Sequence, residues 1–186
     1  MKTPLEAIVR DITRPAVPSS PGSSPGARIY RGGHPFQARP ETIRVLKERV
    51  EGARAMLAIE FEDAEQRSWQ YVFGAVQRSD GSWEASGGAG GGGGHEPEHR
   101  GPWANFGGWG WPRFLCLGGR VYGEGVADIQ LVDAKGRATE DHVAGGIALL
   151  LNNDPVEMPC RIELRDSEGA VVATQTWPPQ AGERLR

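Results

Sequence analysis

Ala127-Asp128-Ile129-Gln130-Leu131-Val132-Asp133-Ala134-Lys135-Gly136 carries an apolar side chain at every second position and then breaks at a turn. A period of two puts Ala127, Ile129 and Leu131 on one face of an extended strand. The same grammar recurs on both sides. Downstream, Thr139, Asp141 and Val143 alternate, and Gly146 to Leu151 reads as a buried strand. Ile162 and Leu164 alternate before the turn Asp166-Ser167-Glu168-Gly169, and Val171 and Ala173 return before Trp177-Pro178-Pro179. Upstream, Leu57, Ile59 and Phe61 alternate, as do Trp69, Tyr71, Phe73 and Ala75. Asp80-Gly81 is a turn signal ahead of Trp83. Short strands with regularly spaced turns predict an antiparallel β-sandwich over residues 53–178. No βαβ alternation is present, so a parallel sheet is not expected.

The N-terminal part has a different period. Leu5, Ile8, Val9 and Ile12 fall at i, i+3, i+4 and i+7, which predicts a short amphipathic helix within residues 1–13. Thr3 supplies an N-cap, Pro4 a first helical residue and Glu6 the acidic member of a capping box. A helix this short must dock to persist. It has either its own domain or a partner to dock on. Residues 14–28, rich in Pro, Ser and Gly, read as a linker. Within residues 29–52, Ile43, Leu46 and Val50 predict a surface helix from 40 to 51 that Gly52 stops. Residues 87–102, opening on the glycine run Gly87–Gly94, predict a mobile loop, and 179–186 a tail.

A resemblance rests on Gly125-Val126-Ala127-Asp128-Ile129-Gln130-Leu131, the turn Lys135-Gly136-Arg137, Glu140-Asp141-His142-Val143, Gly146-Ile147-Ala148-Leu149 and Ile162-Glu163-Leu164-Arg165-Asp166-Ser167-Glu168-Gly169. Over residues 119–174 the chain resembles uncharacterised bacterial, actinobacterial-type proteins with an immunoglobulin-like fold. The resemblance implies an all-β, immunoglobulin-like β-sandwich with hairpins closed by Asp/Gly turns. That family has no assigned activity, so it supplies no functional residues.

The chain has 186 residues, with 27 glycines and 14 prolines, so part of it is not packed core. A net charge of −3 without a basic run argues against a nucleic-acid partner. The longest apolar run, Ile147 to Leu151, is far below the roughly 18 residues of a membrane span. The start, Met1-Lys2-Thr3-Pro4-Leu5-Glu6, has no apolar h-region, so no secretory signal is expected. Two cysteines, Cys116 and Cys160, are too few for a disulfide scaffold and are expected to be buried thiols of a cytoplasmic protein. Lysine occurs only at Lys2, Lys47 and Lys135 against many arginines, which fits GC-rich bacterial coding.

Three clusters carry candidate chemistry. His95-Glu96-Pro97-Glu98-His99 matches the zinc-protease pattern His-Glu-x-x-His. That chemistry needs a helix to bring both imidazoles to one face. Glycines before the motif, Pro97 within it and Gly101-Pro102 after it oppose a helix. A solvated polar loop is the expectation, with a metal-dependent hydrolase as the third functional alternative. The second cluster is Trp103, Phe106, Trp109 and Trp111, with Trp109 and Trp111 expected on one strand face. Such rings either pack into the core or offer a platform for a sugar ring or a protein partner. The third is the helix face Leu5, Ile8, Val9 and Ile12, a recognition segment if it docks on a partner.

No Gly-x-Ser-x-Gly elbow occurs. No catalytic residue, cofactor or resident metal is assigned. The expectation is a non-enzymatic protein-interaction module of unknown partner. A carbohydrate- or small-ligand-binding sandwich using the Trp-rich segment is the alternative. Exposed edge strands leave a homodimer open.

Overall fold

The computed structural model describes residues 1–15, 34–92 and 101–178. Most of the linker expected at 14–28, the His95–His99 motif and the tail lie outside the described residues. The fold is antiparallel β with one short helix, in three sheets. The single sandwich expected over 53–178 is instead divided between two compact units, Met1–His95 and Glu96–Arg186.

The first unit is a four-stranded antiparallel sheet in the order β1-β2-β3-β4: Arg44–Glu51, Arg54–Glu62, Ser68–Gln77 and Trp83–Gly92. Helix α1, Pro4–Ile12, packs on its β3 and β4. The Glu6 N–H donates to Thr3 Oγ1 at 3.1 Å, as a cap requires. The Glu6 carboxylate accepts from the Lys2 N–H at 2.8 Å, one residue earlier than in the usual box. Ile8 and Ile12 are fully buried with Phe36, Leu57, Ile59, Tyr71 and Phe73 in one core, and Leu5 packs against it. The helix therefore docks on its own unit. The Ala38 N–H bonds the Ile12 carbonyl at 2.8 Å, and His34 Nε2 pairs with Asp11 Oδ2 at 2.8 Å. The His34 hydrogen bond holds the Asp11 carboxyl below its ordinary range.

Two expectations are corrected here. The helix predicted at 40–51 is a single 3-10 turn, Pro40–Thr42, followed by strand β1. A bulge between Val45 and Lys47 shifts the alternation by one residue, so Ile43, Leu46 and Val50 imitate a helical spacing. Pairing with β2 decides the outcome, and Gly52 turns the hairpin that joins Glu51 to Arg54. Gly87–Gly92, expected in a mobile loop, belongs to β4 and pairs with β3 in register from Gly74↔Gly87 to Trp69↔Gly92. A Cβ on Gly90 would stand 2.6 Å from the Tyr71 ring and 2.6 Å from the Gln70 carbonyl oxygen. The absent side chains let this strand lie close against β3.

The second unit is a two-layer sandwich. One sheet is β5-β6-β9, Trp103–Trp109, Leu115–Tyr122 and Ile147–Asn152. The other is β11-β10-β7-β8, with β7 at Asp128–Val132, β8 at Ala138–His142, β10 at Cys160–Arg165 and β11 at Val171–Trp177. Both sheets send alternate residues into one core: Leu115, Leu117, Ala148 and Leu150 from the first, Ile129, Leu131, Ile162 and Leu164 from the second. Side chains close both open seams. The Gln175 amide donates to the Ala104 carbonyl at 3.3 Å and accepts from the Ala104 N–H at 2.7 Å. Opposite, Asp141 Oδ2 accepts from the Leu149 N–H at 2.6 Å.

One hairpin device occurs in both units. Asp63, Asp133 and Asp166 each end a strand, and each Oδ1 accepts from the N–H groups two and four residues on, at 2.9 to 3.0 Å. The fourth residue has positive φ: Gln66 61°, Gly136 81°, Gly169 83°. At Asp133 the second oxygen also pairs with the Arg137 guanidinium, at 2.6 and 2.9 Å. Burial alone would raise the Asp133 pKa. Hydrogen bonds from the Arg137 side chain and from the N–H groups of Arg137, Glu157 and Lys135 outweigh it and bring it to about 2.

A carboxyl held below its ordinary value of 3.8 contributes stability above that value and loses it as pH falls toward about 2. Asp133→Asn is therefore expected to cost about 1.5–3 kcal/mol at neutral pH. In paired urea titrations, the gap between the native protein and Asp133→Asn should hold above pH 4 and narrow through pH 2. A gap independent of pH would remove the carboxylate from the account.

Candidate functional site

The Trp-rich segment forms β5 and the turn after it, and strand geometry separates its rings. Ala104 and Phe106 face the sandwich core. Trp103 and Trp109 share the opposite face but lie six residues apart, roughly 20 Å along a strand. They do not form one platform. Trp103 stacks on its cross-strand partner Tyr122, with centroids 4.8 Å apart and planes within 9°. Trp109 is half-buried beside its register partner Cys116, and its indole Nε1 is buried without a hydrogen-bond partner among the described residues. Trp177 packs over Gly108 and Phe114 over Gly110, so the glycines admit rings close to the backbone.

Trp111 is placed differently from its expected position on the Trp109 face. Strand β5 ends at Trp109, and Trp111 sits in the following turn. Trp111 is 53% exposed, the most exposed of the tryptophans. Its indole N–H donates to the Val156 carbonyl at 3.0 Å. That bond fixes the ring direction while leaving much of the ring accessible.

The helix face divides as docking demands. Ile8 and Ile12 are buried, and Leu5 and Val9 are half-buried. The recognition-segment expectation for Leu5, Ile8, Val9 and Ile12 is corrected. Their apolar surface is used within the first unit, because burial on a nearby sheet is available without a partner.

The remaining titratable groups are structural in their surroundings. His142 Nδ1 pairs with Asp128 Oδ1 at 2.9 Å on an exposed cross-strand position. Exposed pairs of this kind contribute little. Cys116 and Cys160 are free and buried. Burial, with a smaller effect of the Asp133 charge, pushes the Cys160 thiol up to about 11, which disfavours the thiolate a nucleophile needs. Glu163 is buried between Arg161 and Arg165, with Arg161 Nη2 at 2.6 Å and Arg165 Nη2 at 2.5 Å. Both arginines hold its carboxyl below its ordinary range. Among the described residues no three His, Cys, Asp or Glu side chains are grouped to hold a metal. His95 and His99 lie outside those residues. Among them, no helix is long and apolar enough to cross a membrane.

Sequence reasoning named the turns at Asp133 and Asp166 but missed the one at Asp63 and the exposure of Trp111. The Asp63 turn was legible as a repeated spacing, Ile59-x-Phe61-x-Asp63 beside Ile129-x-Leu131-x-Asp133 and Ile162-x-Leu164-x-Asp166. The singling out of Trp111 had no sequence signal, because it depends on where β5 stops and on a carbonyl 45 residues away. Comparison with protein-family models, with curated proteins and with solved structures finds no match.

Proposed function

We propose that this protein is a non-catalytic protein-interaction module, with Trp111 as the anchor of its contact surface. The observation that carries this reading is an exposed indole held in one direction by the Val156 carbonyl. Tryptophan is enriched among the residues that dominate binding energy, because a large ring buries much area at little conformational cost. Fixing the ring beforehand reduces what must be ordered on binding. The free, buried cysteines are compatible with a reducing, cytoplasmic setting.

The test is quantitative capture from native lysate with the native protein and Trp111→Ala, followed by titration of any recovered partner. Loss of a hot-spot ring is expected to weaken binding by at least about 2 kcal/mol, roughly thirtyfold. The melting temperature should stay within a few degrees, since an exposed side chain is removed. Unchanged affinity would move the contact elsewhere on the protein. Trp111-dependent retention on a glycan panel, without a protein partner, would instead favour the sugar-binding alternative. Turnover that persists through purification would overturn the non-catalytic reading.

A further inference from the structure

The turn that follows β5 presents more than Trp111. Two bonds running in opposite directions tie it to the loop before β10. The Trp111 indole N–H donates to the Val156 carbonyl at 3.0 Å, and the Val156 N–H donates to the Pro112 carbonyl at 3.4 Å. Other groups hold the same loop. The Arg137 guanidinium donates to the Pro155 carbonyl at 2.7 Å, and the Ala134 N–H donates to the Glu157 carbonyl at 3.0 Å. Val156 itself is buried. The turn Trp111-Pro112-Arg113, exposed at all three residues, therefore stands on a fixed base.

Arg113 is set apart from the other cations of the second unit. Lys135 pairs with Glu157, Arg137 with Asp133, and Arg161 and Arg165 share Glu163. Arg120 has contacts of its own. Arg113 has neither an ion pair nor a hydrogen bond among the described residues. It follows Trp111 by two residues, so their Cα atoms lie within about 7 Å. Tryptophan and arginine are among the residues that most often dominate binding energy.

We propose, resting on Trp111 as the anchor of a contact surface, that this turn takes an acidic peptide segment of a partner protein. A bulky apolar side chain of the segment lies on the Trp111 indole, and a neighbouring aspartate or glutamate pairs with the Arg113 guanidinium. A guanidinium offers a planar fork that a carboxylate meets with two parallel hydrogen bonds. The surroundings oppose a polyanion. The Lys135–Glu157 and Arg137–Asp133 pairs cancel, and Asp154 adds an acid close enough to act on Arg137. One uncompensated cation beside these groups accommodates a single carboxylate. A nucleic-acid strand brings a phosphate at every nucleotide and needs several cations to meet it.

Panning a synthetic library of short random peptides against the full-length chain tests the pairing. The peptides are amidated at the C-terminus, so every carboxylate comes from a side chain. The native protein should enrich peptides with an acidic residue beside a leucine, phenylalanine or tryptophan. Arg113→Gln should keep the apolar preference and lose the acidic one, whereas Trp111→Ala should lose the apolar one. In titrations, the native protein should prefer a selected peptide over its asparagine or glutamine counterpart roughly tenfold, and Arg113→Gln should bind both alike. Arg113→Glu should turn the preference to lysine-bearing peptides. Melting temperatures should stay within a few degrees, since both side chains are exposed. Apolar enrichment without acids, or an acidic preference that survives Arg113→Gln, would overturn the proposal and leave the Trp111 reading standing. Enrichment of no peptide, or Arg113-dependent binding of oligothymidine in place of peptides, would overturn it as well. Affinity for a captured partner with and without Trp111→Ala then decides the Trp111 reading by itself.

Discussion

Phe36→Ala is expected to lower the stability of the first unit by about 3–5 kcal/mol, the range for removing a fully buried aromatic ring. Phe36 is 1% exposed. Its ring lies within 4.9 Å of His34 and of Phe61, 5.0 Å of Trp69, 5.5 Å of Tyr71 and 6.4 Å of Phe73, centroid to centroid. Truncation leaves a cavity lined by rigid rings, which relax poorly into it. His34 stacks on Phe36 and pairs with Asp11, so the loss should spread to the docking of α1. Urea unfolding gives the size of the effect. Amide exchange locates it: protection should fall in α1, β2 and β3 and hold in the second unit. Retained stability would mean that the cluster collapses around the missing ring.

Gly119→Ala is the second large effect, about 3 kcal/mol, and it acts through backbone rather than through lost contact. Gly119 lies in the central strand of its sheet, opposite Phe106 on one side and Ala148 on the other. Its φ is +156°, and an added Cβ would stand 2.1 Å from the Asn105 carbonyl oxygen. No rotamer relieves a clash between Cβ and a neighbouring backbone, so β5 and β6 must part locally. Gly136→Ala is the matching control. It has φ +81° and open space around it, so only the conformational cost of about 1–2 kcal/mol applies. A Gly119→Ala effect no larger than that of Gly136→Ala would show that the strands separate at little cost.

These positions differ in how well the chain announced them. Alternation at Leu57, Ile59 and Phe61, and again at Ile129 and Leu131, is a local record of half-buried strands, and it marks the β class. Strand β1 and the glycine half of β4 were illegible for opposite reasons. At 44–51 a bulge disguised the alternation as a helical spacing. Across Gly87–Gly92 the one side chain is the Ala89 methyl, too little for a pattern to be written in, and the neighbouring β3 fixes the strand. Phe36 stands outside any regular element, so its place at the centre of five rings had no periodic signal.

The candidate surfaces follow the same division. Local sequence determined the antiparallel β character, the amphipathic helix with its Thr3 cap, and the Asp-closed turns, because each depends on residues within a few positions. Tertiary structure decided that the helix face is buried in its own unit, that the chain forms two units, that Trp111 is the most exposed of the tryptophans, and that its turn is tied to Val156. Exposure and orientation are properties of what packs beside a residue. They are set by partners such as Val156 for Trp111 and Gln175 for Ala104, distant in sequence and brought close only by burial of the shared cores.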